Sequence, residues 1–191
     1  MERHRKWLHG LVWPAFFMVV VITKRSIDQA GPHAVIDIVG WTLVMIATVG
    51  RLWCSLYVRG RKSKQLCQDG PYSVCRNPLY LFSFLGVMGV ALAAERVALM
   101  ILLPLLFAGY YLAVIKAEEK RLSVVFGEEY HAYCARVPRI VPHFKGYRTP
   151  ETVAVPVEPY LGGVMKAVSF LWILFLLELL ETFEPISWWA R

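Results

Sequence analysis

Residues 79–94 read LYLFSFLGVMGVALAA, residues 97–115 read VALMILLPLLFAGYYLAVI, and only Glu95-Arg96 stands between them. A membrane helix needs about 20 mostly apolar residues. Two such runs joined by two residues must form a tight antiparallel hairpin. The flanks of this hairpin are unusually polar. Arg76-Asn77-Pro78-Leu79-Tyr80 lies at its mouth. Glu118-Glu119, then Phe126-Gly127-Glu128-Glu129-Tyr130, then Arg136-Val137-Pro138-Arg139 follow its exit. A hairpin returns both ends to one face of the bilayer, so the two clusters come to the same side and can form one site.

Three more apolar runs lie outside the hairpin: Trp7–Ile22, Ala34–Val58 and Leu161–Phe183. The chain has 191 residues, is 57% hydrophobic and 18% charged, below the roughly 25% charged fraction of soluble domains. The expected fold is all-α: a polytopic helical membrane protein with five transmembrane helices, a helical hairpin and a polar segment after it. It forms a single membrane domain over residues 1–191. Residues 1–69 supply two spans and a basic loop, 70–148 the hairpin and its polar segment, and 149–191 a linker and the last span. Arg3, Arg5 and Lys6 before the first run suggest a signal peptide. However, Thr23-Lys24-Arg25 follows that run where a small-x-small cleavage site would stand, so the run is expected to stay in the mature protein.

The net charge of +7 is unevenly placed. Arg3, Arg5 and Lys6, then Arg59–Arg76, then Lys116–Arg148 hold most of the basic residues. With five spans these segments share one side, and the positive-inside rule makes it cytoplasmic. The N-terminus and the site are then cytoplasmic and the C-terminus lies opposite, as does the Glu95-Arg96 turn. Basic residues that flank spans face anionic lipid, which argues against nucleic-acid binding. Cys54, Cys67, Cys75 and Cys134 show no C-x-x-C or Cys…His spacing, so no metal site is expected.

Local signals complete the outline. Asp69-Gly70-Pro71-Tyr72 reads as a turn, and Pro78 suits the first turn of a helix because its missing N–H has no helical partner there. Pro104 should kink the fourth span. Beyond Lys116 the helical period continues until Gly127 should stop it, with a short helix over Glu128–Ala135. Pro138 and Pro142 make 136–144 extended, and the prolines of 149–159 mark a linker.

The polar ends combine Tyr72, Arg76, Asn77 and Tyr80 with Glu118, Glu119, Tyr130, Arg136 and Arg139. Carboxylates accept from ribose hydroxyls or an ammonium. Asn and Arg donate to a carboxylate or phosphate, and the tyrosines offer stacking surfaces. Taken singly, each residue has an ordinary interfacial explanation: snorkelling cations, an aromatic belt, a solvated helix extension. Arg51, inside the second span, is either a functional charge or another snorkelling residue. It is the whole string, in this order, that points to a site.

Gly70-Pro71-Tyr72-x-x-x-Arg76-Asn77-Pro78-Leu79-Tyr80, a hairpin, then Glu118-Glu119, Phe126-Gly127-Glu128-Glu129-Tyr130 and Arg136-Val137-Pro138 resembles the isoprenylcysteine carboxyl methyltransferase family and its relatives, the phospholipid methyltransferases. The resemblance runs from Gly70 to about Phe144. It implies an integral membrane methyltransferase that uses S-adenosylmethionine and acts on a lipid or lipidated substrate. It assigns Tyr72, Arg76, Asn77, Pro78, Tyr80, Glu119 and Tyr130 to the cofactor, and Arg136 to the reacting centre or substrate head. Carboxyl methyltransferases of this kind carry His where Asn77 stands, whereas Asn-Pro is similar to the phosphatidylethanolamine branch. Asn cannot act as a base. For an amine nucleophile Glu118 or Glu119 is the candidate proton acceptor, and Arg136 and Arg139 suit an anionic acceptor. Two other readings compete. One is an NADPH-dependent membrane sterol or enone reductase, for which the chain is short. The other is a non-enzymatic membrane assembly factor.

Overall fold

A computed structural model describes residues 33–59 and 65–183, with side chains through residue 180. The expected first span, Trp7–Ile22, lies outside the described residues. Within them the structure is helical, with no strand. Helix α1 is His33–Val58, α2 is the single turn Pro71–Val74, α3 is Pro78–Ala93, α4 is Val97–Arg136 and α5 is Val157–Phe183. A 3₁₀ turn occupies Phe144–Gly146. His33–Val58, Val97–Arg136 and Val157–Leu180 contain stretches long and apolar enough to cross a membrane. These mark an integral membrane protein.

Helix α3 is shorter, at 16 residues, or about 24 Å at 1.5 Å per residue. That is less than the roughly 30 Å hydrocarbon thickness. The hairpin turn is therefore drawn in among the helices. Glu95 and Arg96 are buried, at 0% and 1% exposure, not exposed as a simple interfacial turn would be. Glu95 takes positive φ to close the turn and meets the His33 ring, while Arg96 donates to the Ala94 carbonyl at 2.8 Å. Apolar periodicity carried no sign of this burial.

Helices α1 and α3 pack closely because glycines face each other. A Cβ on Gly89 would stand 2.6 Å from the Gly40 carbonyl oxygen, and one on Gly40 would stand 2.9 Å from that of Gly89. Small residues at such contacts let backbones approach where no hydrophobic force drives helices together in lipid. Val44, Val90, Ala93, Leu99, Phe170, Leu174 and Leu177 join α1, α3, the start of α4 and α5 in one core. Helix α4 lies at the outside, with Ile101, Leu102, Leu105 and Leu106 exposed to the apolar phase.

Pro104 lies inside α4, but its dihedrals stay helical, and the break comes at Gly127, with φ 49° and ψ −123°. The expected stop at Gly127 is thus a sharp redirection, and the helix resumes through Arg136. Redirected in this way, the last two turns bring Tyr130 and Tyr133 onto Leu66 and Val137. They bury against the α2 segment instead of continuing into solvent.

Candidate functional site

The site is assembled where α3 begins and the apolar part of α4 ends. Gly70 turns the chain, and α2 buries Pro71–Val74. The chain after α4 then returns as a strap across residues 70–77. The Gly70 and Arg76 amides donate to the Arg148 and Pro138 carbonyls at 2.7 and 2.9 Å, and the His143 amide donates to Val74 at 2.9 Å. The Cys75 thiol donates to the Ile140 carbonyl at 3.1 Å. The Tyr133 hydroxyl donates to the Tyr72 carbonyl at 2.7 Å, and the Arg148 amide to Ser73 Oγ at 3.0 Å. These bonds satisfy backbone groups that a buried irregular segment must pair, and they fix the strap over the mouth of the hairpin.

The strap and the hairpin converge on Glu119. Arg139 donates to its carboxylate from Nε at 3.0 and 3.2 Å, and Nη2 stands 2.8 Å away. Asn77 Nδ2 donates to the Glu119 carboxylate at 3.4 Å and to the Arg139 carbonyl at 3.1 Å. Arg76 Nη2 is 3.6 Å from Glu119, an ion pair beyond hydrogen-bond reach. Arg76 Nε is buried with no partner. Beside this network the Tyr80 hydroxyl donates to Glu118 Oε2 at 2.7 Å. The two sequence clusters, 42 residues apart at Asn77 and Glu119, therefore form one constellation.

An aromatic ladder runs from it into the apolar phase. Tyr80 packs on Tyr111 with ring centroids 5.2 Å apart, Tyr111 stacks on Phe107 at 4.0 Å, and Phe107 meets Phe84 at 6.0 Å. Sequence reasoning missed Tyr111 and Phe107. The available signal was the i, i+4 spacing of Tyr80/Phe84 and Phe107/Tyr111, which stacks side chains on one helix face.

The remaining candidates occupy other positions. Pro78 opens α3 at its first turn, as expected. Tyr72 is buried beneath the site against Cys54 and Tyr57, and burial raises its phenol pKa well above the ordinary value. Tyr130 is buried with Tyr133 and Val137. Arg136 is exposed and donates to Gln68 Oε1 at 2.9 Å, and Gln68 in turn donates to Glu129. The structure thus places Arg136 on the Gln68 rim and brings Arg139 to Glu119. Burial also pushes the Cys75 thiol up to about 11, and hydrogen bonding to Glu119 raises Arg139 further. Among the described residues no group of three or more His, Cys, Asp or Glu side chains is placed to hold a metal ion.

Two relatives match almost the whole chain. It is 34% identical over 188 residues to the nickel-cobalt-cadmium resistance protein NccN of Alcaligenes xylosoxydans xylosoxydans, covering 98% of this chain and 88% of that protein. It is 39% identical over 184 residues to the cobalt-zinc-cadmium resistance protein CzcN of Cupriavidus metallidurans, covering 96% and 85%. No solved structure matches. The family model for phospholipid methyltransferases matches residues 34–129, a span that runs from α1 through the hairpin and both glutamates to the Gly127 break. On this match, the chain belongs to the phospholipid methyltransferase family.

Proposed function

We propose that this protein transfers a methyl group from S-adenosylmethionine to a lipophilic acceptor, at a site formed by the mouth of the α3–α4 hairpin and the strap. The observation that carries this reading is the pairing of a buried, unpartnered Arg76 Nε with a neighbouring carboxylate, Glu119. Such a set suits a zwitterionic ligand. Arg76, with Asn77 beside it, would hold the donor's carboxylate, and Glu119 would accept from its ammonium or ribose hydroxyls. Tyr80 and Tyr111 offer aromatic faces, which attract both a flat base and a cationic sulfonium. When bound, the donor supplies an electrophilic sulfonium methyl.

The chain's own contribution is alignment and proton handling. The strap holds Arg76, Asn77 and Arg139 at fixed positions, and holding reacting groups in line can remove about 7–11 kcal/mol of a barrier in favourable cases. An anionic acceptor needs no base. An amine acceptor must lose a proton, and Glu118, oriented by the Tyr80 hydroxyl, is the acceptor within the site. Arg139 sits beside Glu119 and would receive an anionic head, while Arg136 would bound the rim through Gln68. The basic character of the flanking segments supports a cytoplasmic site, where the donor is made available, with the N-terminus on the same side and the C-terminus opposite.

The test uses purified protein and membranes. S-adenosylhomocysteine, but not NADPH, should raise the thermal midpoint. A response to NADPH alone would favour a reductase, and no response to either would favour an assembly role. Membranes incubated with methyl-labelled donor should then carry label in lipid or protein fractions, and base lability would mark an ester. The relatives' names place those proteins in metal resistance. We carry this over as a setting: loss of the protein should sensitise cells to nickel, cobalt, zinc or cadmium, and a transfer-dead Glu119 variant should fail to rescue them.

A further inference from the structure

Arg51 lies within the apolar span α1, seven residues before its end at Val58. It does not reach outward along the helix to the interface. Its Nη1 donates to Ser83 Oγ on α3, its Nη2 donates to the Lys166 carbonyl on α5 at 3.4 Å, and its guanidinium carbon stands 5.2 Å from the centre of the Phe170 ring. Its Nε is buried with no partner. A hydroxyl, a carbonyl and an aromatic face do not neutralise a guanidinium. Among the described residues the ionisable groups that act on it most strongly are Tyr111, Cys54, Arg59 and Tyr72, none of them a carboxylate. A second cation, Arg59, lies on the same face of the chain two helical turns on, with its Nε against Gly163 of α5. The α1–α5 seam therefore carries two cations and, among the described residues, no carboxylate paired with either.

An uncompensated charge at this depth is costly and marks a ligand path. The position fits the site above it. Ser83 is one turn from Tyr80 along α3, and Tyr80 both stacks on Tyr111 and bonds Glu118. We propose that Arg51, with Arg59 at the rim of the same seam, anchors the phosphate or carboxylate of an anionic membrane amphiphile between α1 and α5, and that this amphiphile is the methyl acceptor. Its role as acceptor rests on the methyltransferase reading, whereas the anchor itself stands apart from that reading. Arginine suits the task because its fork pairs with two oxygens of one anion.

The experiment counts lipid on the full-length protein in a neutral maltoside detergent by native mass spectrometry. The protein is titrated with phosphatidate, with diacylglycerol of the same tails, and with inorganic phosphate as competitor. S-adenosylhomocysteine binding is followed in parallel. Wild type should retain phosphatidate at least about tenfold more tightly than diacylglycerol, the scale of one charge-assisted anchor. Arg51→Gln should bring the two within about twofold, and Arg51→Lys should keep an intermediate preference, as a point charge without the fork does. Arg59→Gln, at the edge of the packing, should lower the preference severalfold and serves if Arg51→Gln does not fold. All variants should bind S-adenosylhomocysteine as wild type does. An unchanged phosphatidate preference in folded Arg51→Gln overturns the anchor, as does a wild type without preference. Displacement of phosphatidate by millimolar inorganic phosphate overturns the choice of an amphiphile. An Arg51-dependent preference in a protein that binds no S-adenosylhomocysteine upholds the anchor and overturns its role in methyl transfer.

Discussion

Glu119→Gln keeps the shape of the side chain and removes the one charge around which the site is organised. Arg139 is 49% exposed at its side chain, so its pair with Glu119, though well formed, contributes no more than about 1 kcal/mol. Arg76 is different, at 14% exposure beside a carboxylate at 12%. Breaking a buried pair by removing one partner costs about 3–5 kcal/mol, because a charge is left behind. The 3.6 Å separation of this pair and its partial access to water reduce that figure to about 1–3 kcal/mol. At about 2–4 °C per kcal/mol for a chain of this length, the thermal midpoint should fall on the order of 5 °C. Arg76→Met in the same background should recover part of the loss, since the stranded charge goes with it. S-adenosylhomocysteine affinity, measured by calorimetry on the detergent-purified protein, should fall at least about tenfold, or 1.4 kcal/mol. A Glu119→Gln protein that melts within a degree of wild type and binds the ligand within about twofold would refute both the electrostatic account and the placement of the pocket.

Three smaller perturbations separate the parts of the site. Tyr80→Phe removes the hydroxyl that orients Glu118 at 2.7 Å. It should lower the turnover of an amine acceptor by about tenfold or more, the cost of one hydrogen bond to a charged group, while leaving S-adenosylhomocysteine binding intact in the same calorimeter. Gly127→Ala adds a methyl that meets nothing within 4 Å, so any loss is backbone strain. Forcing alanine to φ 49°, ψ −123° should cost about 1–3 kcal/mol in thermal melts, and an unchanged midpoint would show that the redirection does not depend on glycine. Cys75, held near pKa 11 by burial and bonded to the strap at Ile140, should resist maleimide at pH 8, where only about a thousandth is thiolate. Fast labelling of Cys75 relative to Cys67 or Cys134 would mean that the strap opens readily.

The apolar lengths, the two-residue turn and the polar string at its ends made the hairpin and its neighbouring spans legible in the sequence. These signals are local: hydrophobic length reports on bilayer thickness, and Pro78 and Gly127 act through their own backbones. The same string also holds Arg76, Asn77, Tyr80, Glu118 and Glu119, which converge in the structure at the mouth of the hairpin. Long-range packing decided the remainder. Arg136 and Arg139 are three residues apart and equally basic, yet the path of the strap sends one to Gln68 and the other to Glu119. Arg51 could be read as a snorkelling residue until α3 and α5 were seen to enclose it. The Glu95-Arg96 turn was legible as a tight turn, whereas its burial follows from the short α3 that draws it inward. Sequence by itself determined which segments are long and apolar enough to enter a membrane, because that depends on the chain's own length and polarity. Only tertiary structure decided which charges face each other and which remain uncompensated, because a charge's energy is set by neighbours that lie far away along the chain.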